Sequence, residues 1–169
     1  MSRFLSFALL TCVHALNAVV DFKKEVWPII EERCVECHKA PYELNGELKK
    51  PKAGLRLDGA AYVMHGGDDG PGVVANHPSR SPLYQRVILP EEDDDHMPPK
   101  GDLLSHRQKE VLRKWIAQGV DFGTWMGATD GVDELVKMKK LNTSVFTPEH
   151  IKFYNDLSSG LEPLPANEL

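Results

Sequence analysis

The sequence predicts an all-α protein with long irregular loops and a C-terminal helical extension. Three observations carry that expectation. Apolar residues recur at helical spacing, best in Val111, Leu112, Trp115 and Ile116. Capping residues stand in front of such runs, with Ser105 and Gln108 spaced as a capping box. No segment alternates apolar and polar residues strongly enough to read as a strand. With 169 residues, 41% apolar and 27% charged, the chain has the composition of one ordinary globular domain with an appendage. Its expected divisions are a leader over residues 1–18, a main domain over 19–122 and the extension over 123–169.

Each element follows in order. Arg3, the apolar stretch Phe4–Val13 and the small residue Ala18 have the anatomy of an export signal. The stretch is well short of the ~20 residues that span a bilayer. A retained N-terminal anchor is the alternative. Asp21 caps a first helix whose stripe is Phe22, Val26, Ile29 and Ile30, and Pro28 kinks it or starts its second half. Residues 39–52, polar and broken by Pro41, Gly46 and Pro51, read as a loop. Asp58 caps a short helix over residues 59–64 that Gly66 and Gly67 stop, and Ser81-Pro82 opens another through Leu83, Tyr84 and Val87. The capping-box helix runs from Ser105 to about Gln118, where Gly119 ends it. In the extension, Asp130 caps a helix to Lys140, and Thr147-Pro148 starts one to Leu157.

Cys34-Val35-Glu36-Cys37-His38 is the C-x-x-C-H pattern of covalent haem attachment. Two thiols three positions apart reach two vinyl groups on one porphyrin edge, and the next residue brings an imidazole beneath the iron. Chance gives the pattern on the order of 10⁻³ times in a chain of this composition. Zinc requires four ligands, and no second cysteine pair or H-x-x-x-H supplies the rest. A redox dithiol wants a βαβ setting, and a plain disulfide at this spacing is strained and leaves His38 unexplained. Cys12 leaves with the leader, so the mature chain keeps only Cys34 and Cys37. The implied cofactor is one haem c, held by Cys34 and Cys37 with His38 as iron ligand.

The opposite face of the iron calls for a second ligand. Met97 is the candidate, because Pro98 and Pro99 stiffen the loop that carries it and reduce the entropy lost in holding a weak thioether. Met64, His65, His77 and His96 are the alternatives, and a methionine filling core space is the plainer reading. Arg56 and Arg86 are candidates for pairing with haem propionates, against surface salt bridges for each. Trp115 packs either on the haem edge or in the helix core.

At this point the residues resemble the planctomycete-type cytochrome c domain. The resemblance runs from Val20-Asp21-Phe22 through Pro28-Ile29, the C-x-x-C-H pattern and Gly54-Leu55-Arg56-Leu57-Asp58. It continues through Gly67-Asp68-Asp69-Gly70-Pro71, Ser81-Pro82-Leu83-Tyr84 and Met97-Pro98-Pro99 to Leu112, Trp115, Ile116 and Gly119. It covers residues 20–122. It implies a cytochrome c fold wrapped around the haem, first and last helices packed across each other, and Met97 as sixth ligand. Asn76-His77-Pro78 departs from the Pro-Gly-Asp-Pro more usual in the family, at a turn away from the haem residues.

The expected function is that of an exported, periplasmic electron carrier and not an enzyme. A peroxidase-like haem, which needs an open sixth position, and a haem-bearing interaction module are the alternatives. The net charge of −5, one unit more negative once Arg3 leaves, argues against nucleic acid as a partner. Beyond the leader no stretch is long enough to span a membrane. The acidic run Glu91-Glu92-Asp93-Asp94-Asp95, just before Met97, is either a solvated loop or a docking patch for a basic redox protein.

Overall fold

A computed structural model describes residues 18–137. Residues 1–17, which hold nearly all of the leader, and the expected helix from Thr147 lie outside the described residues.

Asp21 opens the first helical segment as the sequence predicts, its Oδ1 accepting the Lys24 amide at 3.0 Å. The segment begins as a π-helical turn, Phe22–Val26, and becomes regular only in α1, Trp27–Arg33, where Pro28 stands in the first turn. Proline has no N–H to give the preceding turn, and the chain passes from the π-helical turn to the regular helix at this point. α4, His106–Ala117, has the full capping box: Ser105 Oγ accepts the Gln108 amide and Gln108 Oε1 accepts the Ser105 amide. It buries Leu112, Trp115 and Ile116.

These two elements meet through aromatic rings. Phe22 lies 5.2 Å from Trp115 and 4.9 Å from Phe122, centroid to centroid, and Trp125 packs in tilted contact with both Phe22 and Trp27. Trp115 is therefore a core residue; its Nε1 donates to the Asp121 carbonyl at 2.8 Å. Trp115→Ala is expected to cost about 3–5 kcal/mol in denaturant unfolding, since it leaves a cavity and an unpaired carbonyl together. A loss below about 1 kcal/mol would show that the aromatic cluster does not hold the two helices.

The all-α expectation is not met. Helical segments make up only about 40% of the described residues, and apart from α4 the α-helices have six or seven residues. Two short strands, β1 (Tyr42–Leu44) and β2 (Glu47–Lys49), form an antiparallel hairpin inside what reads as a polar loop. Asn45 and Gly46 both take positive φ, 54° and 77°, which is the turn geometry whose twist matches paired strands. Both strands lie almost wholly at the surface, so they carry no buried face for an alternating pattern to report.

Two caps differ from expectation as well. α2, Ala60–His65, follows Gly59, and its end is Gly66 at φ +86°, where a Cβ would strike the Gly70 carbonyl. Asp58 does not cap it; its carboxylate binds Arg56 and the Ala40 amide. α3, Pro82–Ile88, follows Ser81, whose buried hydroxyl turns away from the helix to the Val74 amide and the His77 carbonyl. α5, Val132–Lys137, buries Val132 and Leu135 in the common core, while Asp130 pairs with Arg56. No helix of the described residues is long and apolar enough to cross a membrane.

Candidate cofactor-attachment site

The end of α1 builds the attachment turn. Cys34 and Val35 donate back to the Ile30 carbonyl, and the chain then turns once more, with Cys37 and His38 both donating to the Cys34 carbonyl at 3.2 and 3.0 Å. Spacings of three and four along such a turn share one face, so Cys34, Cys37 and His38 are gathered by local geometry. Both thiols are free. Cys37 is exposed, whereas Cys34 is half-buried against the core. Burial, with the neighbouring Cys37 adding to it, pushes the Cys34 thiol up to about 12. It is a protonated thiol at neutral pH and a poor thiolate ligand.

His38 is held on two sides. Its Nδ1 lies 3.1 Å from the Leu55 carbonyl and its own carbonyl accepts the Leu57 amide at 2.8 Å. A carbonyl can only accept, so Nδ1 carries the proton and Nε2 is the nitrogen with a lone pair for a metal. Burial lowers the imidazole pKa, against the opposing pull of the backbone at Leu55 and Lys52. A neutral, oriented imidazole is the form that ligates iron. Two thiols and such an imidazole on one turn fit a covalently attached haem.

Met97 stands on a separate loop, half-buried and packed against the core. Its amide donates to the Arg86 carbonyl at 3.0 Å, which ties the loop to α3. The Arg86 side chain adds a second tie, Nη1 to Asp95 Oδ1 at 2.6 Å, an exposed ion pair. Among the alternative ligands, Met64 is buried in α2, His65 is half-buried and His77 is exposed. His96 is buried, 3% exposed, and its Nε2 has no hydrogen-bond partner.

Arg56 is buried and held by two carboxylates. Nε and Nη2 donate to Asp58 at 2.9 and 3.0 Å, while Nη1 and Nη2 donate to Asp130 at 2.9 and 3.0 Å. Its guanidinium also covers the Tyr62 ring at 3.6 Å. Burial alone would lower its pKa, but the hydrogen bonds from Asp130 and Asp58 outweigh it and raise the value. With four of five N–H groups on these carboxylates, Arg56 is turned to protein acids. Sequence reasoning missed Leu55 as the acceptor for His38, and Asp58 and Asp130 as partners of Arg56. For Asp58 a signal existed: residues two apart on extended backbone share a side.

The attachment turn has the residues with which haem c proteins hold their cofactor. Residues 34–101 match the family described as planctomycete cytochrome C, and the chain carries a planctomycete-type cytochrome c domain there. A cytochrome c domain implies haem c and is typically an electron carrier. No curated protein and no solved structure matches the chain.

Proposed function

We propose that the protein is an exported, mono-haem electron carrier whose iron is held by His38 and Met97. The observation that carries this reading is the neutral His38 imidazole, locked through Nδ1 by Leu55 on the same turn as two free thiols. Haem c, when bound, supplies a one-electron iron couple, and a methionine opposite histidine keeps its potential higher than a second histidine would. Cys34 and Cys37 fix the ring to the chain, and Leu55 orients His38. Arg86 anchors the methionine loop at its backbone and through Asp95, so that little further ordering is needed to hold Met97 at the iron. The export signal, Met1 to Ala18, supports a periplasmic location, where thioether-linked haem proteins operate. The oxidised protein is expected to show the weak long-wavelength charge-transfer band of methionine-ligated haem and to turn over peroxide negligibly. Rapid peroxide turnover without that band would favour a catalytic haem.

The acidic loop supports a basic redox partner. Glu91 to Asp95 are all exposed, and a groove containing Ile88, Leu89 and Pro90 lies alongside. Asp93 and Asp95 have internal work: Asp93 accepts the Asp95 amide, and Asp95 pairs with Arg86. The steering test therefore uses Glu91→Gln, Glu92→Gln and Asp94→Asn together, which leaves the loop's own contacts in place. Electron transfer to a basic acceptor is expected to slow several-fold at low salt and to converge with wild type as salt shortens the screening length below ~10 Å. Identical rate curves for the two forms would reduce the run to a solvated loop.

A further inference from the structure

Arg56 lies between the two backbone contacts that hold His38. Leu55 accepts from the ring and Leu57 donates to the His38 carbonyl, so the residue between them sets where both groups stand. Its side chain is clamped from two directions. Asp58, on one side, also accepts the Ala40 amide at 2.9 Å, two residues beyond His38. Asp130, on the other, comes from the segment past residue 122, outside the matched family region.

That segment is joined to the same place by its backbone. Ala128 donates to the Asp58 carbonyl at 2.8 Å, Ala60 donates to the Met126 carbonyl at 2.9 Å, and Gly59 bridges Gly127. A Cβ on Gly59 would meet the Ala128 carbonyl, and Gly127, at φ +63°, would meet the Asp58 carbonyl, so this close approach requires glycine at both positions. The Tyr62 hydroxyl donates to the Asp130 carbonyl beneath the Arg56 guanidinium. Three stretches of chain, residues 37–40, 55–58 and 126–130, are thereby fastened into one scaffold behind the imidazole.

We propose that Arg56, braced by Asp58 and Asp130, is a positioning residue for the proximal histidine, and that residues 126–130 tune the redox centre through it. The inference rests on the haem reading above. A carbonyl accepting from Nδ1–H raises the basicity of Nε2, and partners of this kind alter metal sites when removed. A lysine in place of Arg56 keeps the charge but cannot grip two carboxylates in a planar fork. The Leu55 carbonyl then loosens, His38 becomes a weaker donor, and the oxidised state loses stability relative to the reduced one.

The experiment is a redox titration of the full-length, haem-loaded protein as wild type, Arg56→Lys and Asp130→Asn. Both variants are expected to keep one attached haem and to shift the equilibrium with a mediator about threefold toward reduction, or ~30 mV for one electron. The charge-conserving variant separates positioning from a change of field. Wild-type potentials in both variants, with only a lower Tm, would assign the cluster a purely structural role and overturn the proposal. A shift in Asp130→Asn alone would assign it to the field and overturn the proposal equally. Should Arg56→Lys fail to mature, the His38 ring resonances of Asp130→Asn decide: displaced, they support positioning; unmoved, they overturn it. A wild-type protein without covalent haem would instead overturn the functional reading itself.

Discussion

Alanine in place of Cys34 or Cys37 is expected to abolish two-thioether attachment and to leave much of the protein unfolded. The two positions differ in packing, Cys34 half-buried against the core and Cys37 exposed, yet they are equivalent in chemistry, each supplying one sulfur. Were the thiols merely structural, the exposed Cys37 would tolerate alanine at a cost within about 0.5 kcal/mol, while Cys34 would not. Equal loss at both positions is the signature of a shared ligand. The reason for unfolding lies in the helices of the described residues, three of which, α1, α2 and α3, are only six or seven residues long. Helices below ~12–15 residues are marginal alone and depend on tertiary packing, which a bound haem would supply in part. Pyridine-haemochrome spectra give the result: two saturated side chains in wild type, one or none in each variant. Two intact thioethers in either variant would refute the attachment.

Met97→Ala is expected to leave haem attached while lowering its potential and opening the iron to carbon monoxide. Removing a thioether that favours the reduced state takes the potential down, and alanine offers no atom to close the site. The neighbouring residue makes the result more informative. His96 is buried and its Nε2 has no hydrogen-bond partner, so its imidazole is free to compete for the vacated position. Capture would give a low potential with the site still closed, and Met97→Ala combined with His96→Ala would then open it. Met64→Leu, a volume-conserving change within α2, should cost under about 1.5 kcal/mol and leave the potential alone. Wild-type potential and a closed iron in Met97→Ala would remove Met97 from the ligand set, with or without His96.

What the sequence revealed divides along physical lines. Elements specified by contacts near in sequence were legible: the Asp21 cap, the Ser105–Gln108 box, the Gly66 and Gly119 stops and the attachment turn. The hairpin was not, although Asn45-Gly46 is a strong turn signal. Its strands have three residues each and bury no face, so no apolar period accompanied the turn. Asp58 and Asp130 stand where caps are expected, one just ahead of α2 and the other just ahead of α5. Capping is the local use of an aspartate; pairing with Arg56 is a use separated by as many as 74 residues. Nothing in local pattern distinguishes the two until the fold brings Arg56 between them. The same holds for Leu55, whose part in the site is played by a backbone carbonyl that every residue possesses.

A spectroscopic redox titration of the purified holoprotein tests most directly whether a single electron is carried on one haem between His38 and Met97. The expected result is one covalently bound haem per chain, one reversible transition with the slope of a one-electron couple, and the methionine charge-transfer band present only in the oxidised form. Absence of covalent haem, more than one haem per chain, or an oxidised spectrum without that band would contradict it.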